Sequence, residues 1–566
     1  MPTIRSLAAV LALAAMSSCA ASPPSAPMPP AAPVVPGAQT ALAAAAAMPV
    51  QLFEVALAPG IGAPQSGRLI IVTQPWNKVF AAGAPSDAAP PPVVRGAGED
   101  PIAAAEIAHL APGESVIMDA DAKAFPTPFS KMPPGDYAVQ AVLDVNHTYA
   151  YGGLGAGDIV SPAIKVHLPG GVPKLLLNDI RPAAPTPASS NPEFESHLTD
   201  VDFISPSLSA FWGKPIHIRA WVLTPPGYET GKTRYPTVYR AEGFGGSHAY
   251  ARLQAQRQWN LMTSGATPPM IRVFLDHATP WGTTEFADSV NNGPWGKALT
   301  EELIPHLEKT YRMDAKPSGR FTTGHSSGGW FAIWLQVRYP KVFGGTWARA
   351  PDPVDFRSFT GVDIYSPHAN AYRKPDGSVQ TLVRNPRGEE TTSLRVYAAR
   401  EDIEGDYGGQ FDSFDWVFSP KGDDGRPMPL FDRQTGDVDP FVAAYWREHY
   451  DIGAIIQRDW KTLKPDLDGK IHLIIGTMDT FHLNEAAELL KQRLDGLGAK
   501  SSFTFMEGRN HATLDTIGNN PMGLETDIAW QMWKTARPKS ELVAPDPSVA
   551  PKPAPAPGRA PPRSGK

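Results

Sequence analysis

The chain has 566 residues, of which 42% are hydrophobic, so it is long enough for about two to four domains with filled cores. Its formal net charge is -6 and no long basic run occurs, which gives no support for nucleic acid or another polyanion as a partner. The single cysteine, Cys19, excludes an intrachain disulfide and a cysteine-based zinc site.

The first 19 residues have the order of an export signal. Arg5 precedes the apolar run 7–16, and two serines then lead to Cys19. The run is too short to cross roughly 30 Å of hydrocarbon, so we expect no permanent transmembrane anchor. Cys19 stands where bacterial lipoprotein signals place the thiol that receives the lipid. We therefore expect an exported protein, lipid-anchored in the periplasm or outer membrane; plain cleavage near this position would give a secreted one.

Composition divides the chain into stretches of different character. Short β-favouring runs at 51–57, 68–73, 137–143 and 164–168, separated by Gly- and Pro-rich turns, predict a small all-β sandwich. The predicted organisation is a signal peptide with a possible lipobox over 1–19, a Pro/Ala-rich linker over 20–48, the β-sandwich over 49–170, a linker over 171–198, an α/β domain over 199–538 with an insertion at about 351–450, and a disordered Pro-rich tail over 539–566.

From about residue 199 onward, strands alternate with longer helical stretches. Strands are predicted at 216–223, 237–240, 271–275, 320–323, 471–475 and 502–506, and helices at 297–311, 330–339 and 484–497. This alternation predicts a mostly parallel sheet covered by helices. Folds of this kind place their sites at the carboxyl ends of the strands.

The segment Gly324-His325-Ser326-Ser327-Gly328 fits the pattern G-x-S-x-G. Glycines in this pattern permit a sharp strand-to-helix turn that lifts a serine hydroxyl clear of a sheet. A strand before the segment and a helix after it are both predicted, so Ser326 is the candidate nucleophile. A Gly/Ser-rich loop that caps an ordinary helix is the alternative.

A serine hydroxyl needs a base to take its proton, and in the chain order Ser, acid, His that base lies downstream. His511 is the candidate because it follows a late strand-like stretch and a short polar turn. The other downstream histidines are His368, His449, His472 and His482.

Asp479 is the candidate acid, since it follows the β run 471–475 and would deliver a carboxylate at a strand's carboxyl end. The alternative is that Asp479 serves only as the N-terminal residue of a helix. Asp515 is a weaker rival, because it lies four residues after His511 and would need an unusual local geometry.

Ester hydrolysis also needs donors for the oxyanion, usually two backbone N–H groups. Ser327, directly after the nucleophile, would supply one of them. Phe244, in the glycine-rich loop after the strand at 237–240, would supply the other.

Seven landmarks occur in one order along the chain: Thr224-Pro225-Pro226-Gly227-Tyr228, Tyr235-Pro236-Thr237-Val238, Gly243-Phe244-Gly245-Gly246, Glu301-Glu302-Leu303-Ile304-Pro305, Gly324-His325-Ser326-Ser327-Gly328, Gly476-Thr477-Met478-Asp479, and His511. On these, the segment from about 216 to 533 resembles the esterase D-like family of α/β-hydrolases, which includes S-formylglutathione hydrolases, feruloyl and acetylxylan esterases, enterochelin esterases and mycolyltransferases.

The resemblance implies a triad of Ser326, Asp479 and His511, with Phe244 and Ser327 as oxyanion donors. The chain departs from the family at Glu242, where members usually carry His. It also departs in the long stretch 351–450, which we expect to form a cap or wall near the site.

These observations predict an α/β-hydrolase fold, a mostly parallel sheet flanked by helices, preceded by a small all-β sandwich domain. The predicted function is that of an exported serine carboxylic-ester hydrolase acting on a small or glycan- or siderophore-linked ester. The alternatives are an acyltransferase to a sugar or lipid hydroxyl, and a non-catalytic surface lipoprotein that binds glycan or siderophore. No cofactor and no metal is expected; the acidic run 401–406 could hold a hard cation, but such loops are more often solvated.

Overall fold

The computed structural model describes residues 50–79, 100–183, 189–405 and 408–551. The predicted export signal, Cys19 and the linker over 20–48 lie outside the described residues. The described residues belong to one compact unit that begins at Val50. Within this part of the chain, no helix is both long enough and apolar enough to cross a membrane.

The N-terminal part of the described chain is β-rich. Its strands are Leu52–Leu57, Gln65–Pro75, Ile102–Leu110, Ser115–Asp119, Ala124–Phe125, Gly135–Asp144, Ile159–Val160, Ile164–Leu168, Lys174–Leu177 and Asp179–Ile180. They form a three-stranded and a seven-stranded sheet. Buried side chains of both sheets, among them Phe53, Leu69 and Leu143, share one hydrophobic core, which is the packing of a β-sandwich.

Two of these strands lie inside the segment predicted to be the linker 171–198. Lys174–Leu177 pairs in parallel with Leu52–Leu57, and Asp179–Ile180 pairs with Ile159–Val160. Leu175 is 3% exposed and Leu177 is fully buried. The β-rich region therefore extends to residue 180, because this tract alternates buried and exposed residues as a half-buried strand does.

An eight-stranded sheet forms the centre of the remaining chain. From one edge to the other its strands are Leu198–Ile204, His217–Leu223, Ile271–Leu275, Thr237–Ala241, Arg320–His325, Gly345–Arg349, Ile471–Gly476 and Ser501–Met506. The second strand runs antiparallel to its neighbours and the later strands run parallel to one another. The central strands are buried along their whole length, as expected of a sheet covered on both faces. This is the predicted α/β-hydrolase architecture.

Helices cover the sheet and build the insertion. They are Trp76–Val79, Tyr149–Gly152, Pro192–His197, Pro206–Trp212, His248–Thr263, Trp295–Lys297, Ile304–Thr310, Ser327–Arg338, Leu394–Glu404, Gln410–Phe418, Pro440–His449, Ile452–Leu467, Leu483–Gly496 and Gly523–Ala536. The stretch predicted as one helix over 297–311 contains a π-helical turn, Ala298–Leu303, directly before Pro305. Proline clashes with the carbonyl group of the preceding turn, which accounts for the wider turn there.

The insertion contains an antiparallel pair, Thr381–Arg384 with Glu390–Ser393, and three of these helices. Its acidic run is not a solvated loop at Glu401. That side chain is 5% exposed and accepts hydrogen bonds from the backbone N–H groups of Gln410 and Phe411, at 2.5 and 3.1 Å. The described residues contain no group of three or more His, Cys, Asp or Glu side chains placed to hold a metal ion.

Part of the predicted disordered tail is ordered. Residues 539–551 are described, and Asn520 Nδ2 donates to the carbonyl oxygen of Pro547 at 3.0 Å. The backbone N–H of Asn519 donates to the carbonyl oxygen of Ser548 at 3.1 Å. A Pro-rich segment can be ordered in this way when neighbouring polar groups satisfy its backbone carbonyls.

Candidate active site

The turn between the strand Arg320–His325 and the helix Ser327–Arg338 carries Ser326. Ser326 has φ 58 and ψ -125, a backbone conformation that is unfavourable for a residue with a Cβ. A Cβ at Gly324 would overlap the carbonyl oxygen of Gly328, so this turn requires glycine there. The motif is thus a sharp strand-to-helix elbow with Ser326 at its apex.

His511 and Asp479 form a hydrogen-bonded pair. Nδ1 of His511 lies 2.8 Å from Oδ2 of Asp479, whose side chain is fully buried. The other oxygen of Asp479 accepts the backbone N–H groups of Phe481 and Leu483, at 3.0 and 3.3 Å. These bonds fix the carboxylate, and the carboxylate in turn orients the imidazole so that Nε2 is directed away from it.

The imidazole of His511 lies beside the elbow. Its ring centroid is 4.4 Å from that of His325, the residue before Ser326. Nε2 of His325 lies 3.0 Å from the carbonyl oxygen of His511. A carbonyl oxygen can only accept, so Nε2 of His325 donates this hydrogen bond. Burial, together with the nearby charge of His511, lowers the pKa of His325. The pair of His511 and Asp479 therefore lies next to the turn that carries Ser326.

Asp352, which the sequence analysis does not name, holds the hydroxyl of Ser326. Oγ of Ser326 donates to Oδ1 of Asp352 at 3.3 Å, and Oγ of Ser327 donates to Oδ2 at 2.7 Å. Among the described residues, Ser326 Oγ forms no hydrogen bond with His511; such catalytic bonds often tighten only in complex with substrate. Burial raises the pKa of Asp352 to about 6. Asp352 follows the strand Gly345–Arg349, and recognising that strand would have pointed to it.

A second buried carboxyl group, Glu285, stands next to Asp352. Its side chain is fully buried and accepts a hydrogen bond from Thr283 Oγ1 at 2.9 Å. Burial and the charge of Asp352 raise the pKa of Glu285 well above its usual value. Two buried carboxyl groups, of Asp352 and Glu285, therefore lie on this side of Ser326.

The glycine loop after the strand Thr237–Ala241 lies against the elbow. A Cβ at Gly243 would be 3.1 Å from the Cβ of Ser326, so glycine allows the backbone to approach this closely. A hydrogen bond of 3.0 Å from the N–H of Gly246 to the carbonyl oxygen of Gly243 closes the loop into a turn. The amides of Phe244 and Ser327 thus belong to the two segments that meet at Ser326, as the predicted oxyanion site requires.

Glu242, where the chain departs from the family, is part of a buried ionic network. Arg240 Nε lies 2.7 Å from Glu242 Oε1, and Arg240 Nη1 lies 2.7 Å from Glu525 Oε1. Glu525 also lies 3.1 Å from Arg349 Nη1, and that same nitrogen lies 2.5 Å from Asp515. Burial raises the pKa of Glu525, but the charges of Arg240 and Arg349 outweigh it and lower this pKa to about 2. Glu525 is thus linked through Arg240 to the start of the glycine loop, and through Arg349 to the loop after His511.

The alternative candidates for the acid and the base have other partners or lie in other elements. Asp515 is the partner of Arg349, whereas Asp479 is the partner of His511. His472 stacks on Trp347 with ring centroids 4.3 Å apart. The other candidates, His482, His449 and His368, lie at the start of the helix Leu483–Gly496, at the end of the helix Pro440–His449, and in the insertion.

The insertion reaches the segment that carries the acid. Nε of Arg384 donates to the carbonyl oxygen of Asp479 at 2.7 Å, and its Nη2 donates to Asn484 Oδ1 at 2.7 Å. The predicted role of the insertion as a wall near the site agrees with these contacts. Arg384 thus fixes the backbone of Asp479, whose carboxylate bonds to His511.

Residues 212–400 match the model of the family described as "Putative esterase". Over these residues, the chain is similar to the esterases of this family. The matched range contains the glycine loop, the elbow and Asp352, and it ends before Asp479 and His511.

The chain is similar to several other proteins. The "Uncharacterized protein YbbA" of Bacillus subtilis (strain 168) is 28% identical over 130 residues, which make up 21% of this chain and 51% of that protein, so the match spans about half the length of this curated relative. A solved ferulic acid esterase is 15% identical, with a TM-score of 0.34 over 60% of this chain and 97% of its own. The S-formylglutathione hydrolase of Agrobacterium tumefaciens is 14% identical, with a TM-score of 0.34 over 60% and 94%. Likeness at this level adds nothing about the substrate.

Proposed function

We propose that this esterase is an exported serine carboxylic-ester hydrolase whose triad is Ser326, His511 and Asp479. The observation that carries the proposal is the hydrogen-bonded pair of His511 and Asp479 beside the strained elbow of Ser326. Activation of a serine hydroxyl requires a base that an acid orients, and these are the roles that we propose for His511 and Asp479. The substrate class that we propose is a small ester or an ester linked to a glycan or siderophore.

In the proposed reaction, substrate draws the hydroxyl of Ser326 away from Asp352 and toward Nε2 of His511. Oγ then bonds to the ester carbonyl carbon while Nε2 takes the hydroxyl proton, and Asp479 stabilises the resulting imidazolium. The N–H groups of Phe244 and Ser327 stabilise the oxyanion. Collapse of this intermediate breaks the bond to the alcohol, which leaves with the proton from His511. Water then attacks the acyl-enzyme in the same manner and releases the acid and Ser326.

The experiment that tests the triad is covalent labelling with a fluorophosphonate, followed by turnover of p-nitrophenyl acetate. We expect labelling at Ser326 in the wild type and its loss in Ser326→Ala. His511→Ala and Asp479→Asn should lower kcat by about 10³-fold or more, as losses within such triads do. Ser502→Ala and His217→Ala, at exposed positions, are the matched controls and should behave as the wild type does. A folded wild type that is neither labelled nor active would overturn the proposal.

We further propose that export depends on residues 1–19 and that Cys19 receives the lipid. Support comes from the order of charge, apolar run and cysteine in the sequence. Growth with an alkyne-tagged fatty acid, followed by purification, should label the wild type and leave Cys19→Ser unlabelled. A wild type that stays unlabelled while the protein is exported would replace the lipid anchor with plain cleavage.

A further inference from the structure

The β-rich region contacts the esterase site through one helical turn, Tyr149–Gly152. The carboxylate of Asp144 fixes the start of this turn, since it accepts the backbone N–H groups of Thr148 and Tyr149 at 3.2 and 2.9 Å. Tyr149 is 1% exposed and packs in a core shared with Ile403 of the insertion. The turn therefore has a defined position between the sandwich and the insertion.

From this turn, Tyr151 contacts three consecutive residues of the glycine loop. Its hydroxyl donates to the carbonyl oxygen of Gly246 at 2.7 Å. Its ring meets Phe244 edge to face, with centroids 4.9 Å apart at 80°. Its carbonyl oxygen lies 3.6 Å from the place where a Cβ of Gly245 would stand. Tyr151 thus holds both the backbone and the side chain of the segment that carries the candidate oxyanion donor Phe244.

The loop needs such a contact for a physical reason. Gly243, Gly245 and Gly246 leave its backbone with more conformational freedom than other residues would, and that freedom must be lost for an N–H group to be aimed at an oxyanion. Arg240 restrains one end of the loop through Glu242. The other end enters the helix His248–Thr263 after Ser247, whose hydroxyl caps it. Tyr151 acts between these two ends.

The insertion also packs closely against Tyr151. A Cβ at Gly408 would lie 3.3 Å from the Cβ of Tyr151. Arg68 of the sandwich donates from Nε to the carbonyl oxygen of Ile403 at 2.9 Å. Burial raises the pKa of Tyr151 above its usual value, so its hydroxyl remains a donor throughout the pH range of an esterase assay. The sandwich and the insertion, which are bonded to each other, thus keep Tyr151 in contact with the loop.

We propose that Tyr151 is a positioning residue of the esterase, through which the N-terminal β-rich region holds the glycine loop in the geometry that stabilises the oxyanion. This inference rests on the proposed function, because it assigns Tyr151 to the same site. The β-rich region is then part of the catalytic apparatus and not a spacer. Tyr151 acts on the transition state and not on the initial binding of substrate, so its loss affects kcat and leaves KM unchanged.

The test compares Tyr151→Phe and Tyr151→Ala with the matched control Tyr137→Phe in the full chain. Tyr137 belongs to the same sandwich, is also 7% exposed, and donates its hydroxyl to the carbonyl oxygen of Pro133 at 2.8 Å. With p-nitrophenyl acetate we expect kcat to fall about five- to tenfold in Tyr151→Phe, which loses one hydrogen bond. In Tyr151→Ala, which also loses the contact with Phe244, we expect a fall of about 100-fold, comparable with the loss of an oxyanion donor.

Two further measurements separate positioning from general damage. Phenylboronic acid, which forms a tetrahedral adduct with an active serine, should bind more weakly to Tyr151→Phe by the same factor as kcat falls. Hydrogen exchange of the loop amides should be faster in Tyr151→Phe and unchanged in Tyr137→Phe. Unchanged kcat and unchanged loop exchange in Tyr151→Phe would overturn the inference, as would equal losses in the control. If the wild type is inactive but the loop amides still exchange faster in Tyr151→Phe than in the wild type, the proposed function is overturned. The structural role of Tyr151 in holding the loop would then remain.

Discussion

Ser326 and Asp352 are joined by a hydrogen bond of 3.3 Å in which the serine hydroxyl is the donor. The carboxyl group that receives it is 3% exposed, so a negative charge there is poorly solvated. Two hydroxyl groups, of Ser326 and Ser327, supply its hydrogen bonds in place of water. The proposed nucleophile therefore donates its hydrogen bond to a group whose charge depends on pH.

We expect Asp352→Asn to stabilise the protein at high pH. The pKa of this carboxyl group is about 3.9 in an unfolded chain and about 6 in the folded protein. The stability that the protonated group contributes is present in full below pH 4 and is lost as the pH rises through 6, because the folded state then carries a buried charge. Asparagine does not titrate and avoids this loss.

The measurement is the thermal midpoint of unfolding of both proteins at pH 5 and pH 8. The free energy of unfolding of Asp352→Asn, relative to that of the wild type, should increase by about 1–2 kcal/mol from pH 5 to pH 8. Asp459→Asn removes a carboxylate that is 39% exposed and serves as the control, with little change expected at either pH. An advantage of equal size at pH 5 and pH 8 would contradict the prediction.

Ser326→Gly should be inactive and yet more stable than the wild type. The backbone of Ser326, with φ 58, is strained for a residue with a Cβ, and glycine adopts it at no steric cost. We expect a gain of about 1 kcal/mol in the free energy of unfolding, reduced somewhat by the greater freedom of glycine in the unfolded chain. Urea unfolding measures this, with Ser326→Ala, which keeps the strain, as the control. A Gly variant no more stable than the Ala variant would show that the elbow stores no strain.

The sequence predicts the elements whose signal is local. The elbow at Ser326 is flanked by a β run and a helical run, and the strand before Asp479 is apolar and ends at a glycine, so both can be read from neighbouring residues. The partner of a side chain is a different matter. Asp352 lies 26 residues from Ser326, and Tyr151 lies 95 residues from Gly246. Such contacts follow from strand order and from the packing of the sandwich, which no local pattern specifies.

Contacts with distant residues also explain why parts of the predicted linker and of the predicted disordered tail are ordered. Lys174–Leu177 is short and flanked by Pro and Gly, so its composition indicates a linker, and it becomes a strand because Leu52–Leu57 offers an unpaired edge. The Pro-rich segment around Pro547 is ordered by the amide of Asn520. In both cases a partner far away in the chain decides the local structure.

Gly328→Ala should abolish activity and destabilise the protein. A Cβ at this position would overlap the carbonyl oxygen of Ala241, which belongs to the adjacent strand and cannot move independently of it. We expect a loss of about 2–4 kcal/mol, typical of overpacking against a rigid backbone. Gly496→Ala is the matched control: it lies at the end of the helix Leu483–Gly496 and has no atom within 4 Å of the added Cβ. Thermal unfolding and the rate of fluorophosphonate labelling measure both effects, and a labelled, stable Gly328→Ala would contradict the close packing of the elbow.

Glu242→Gln should lower both stability and kcat, because it removes one partner from a buried charge network. Arg240 would keep only Glu525, which it already shares with Arg349, so positive charge at the base of the glycine loop would lack full compensation. Breaking a buried pair in this way costs about 3–5 kcal/mol when one partner is removed. Asp495→Asn, which breaks the exposed pair with Lys491, should cost less than about 0.5 kcal/mol.

The decisive readout is whether the loss of kcat in Glu242→Gln exceeds what unfolding explains. At a temperature where the variant is fully folded by circular dichroism, kcat should still be reduced about tenfold with KM unchanged, because the glycine loop loses the anchor at its start. If kcat returns to the wild-type value whenever the variant is folded, Glu242 serves stability alone. The oxyanion loop would then be held by Tyr151 and by the helix that follows Ser247.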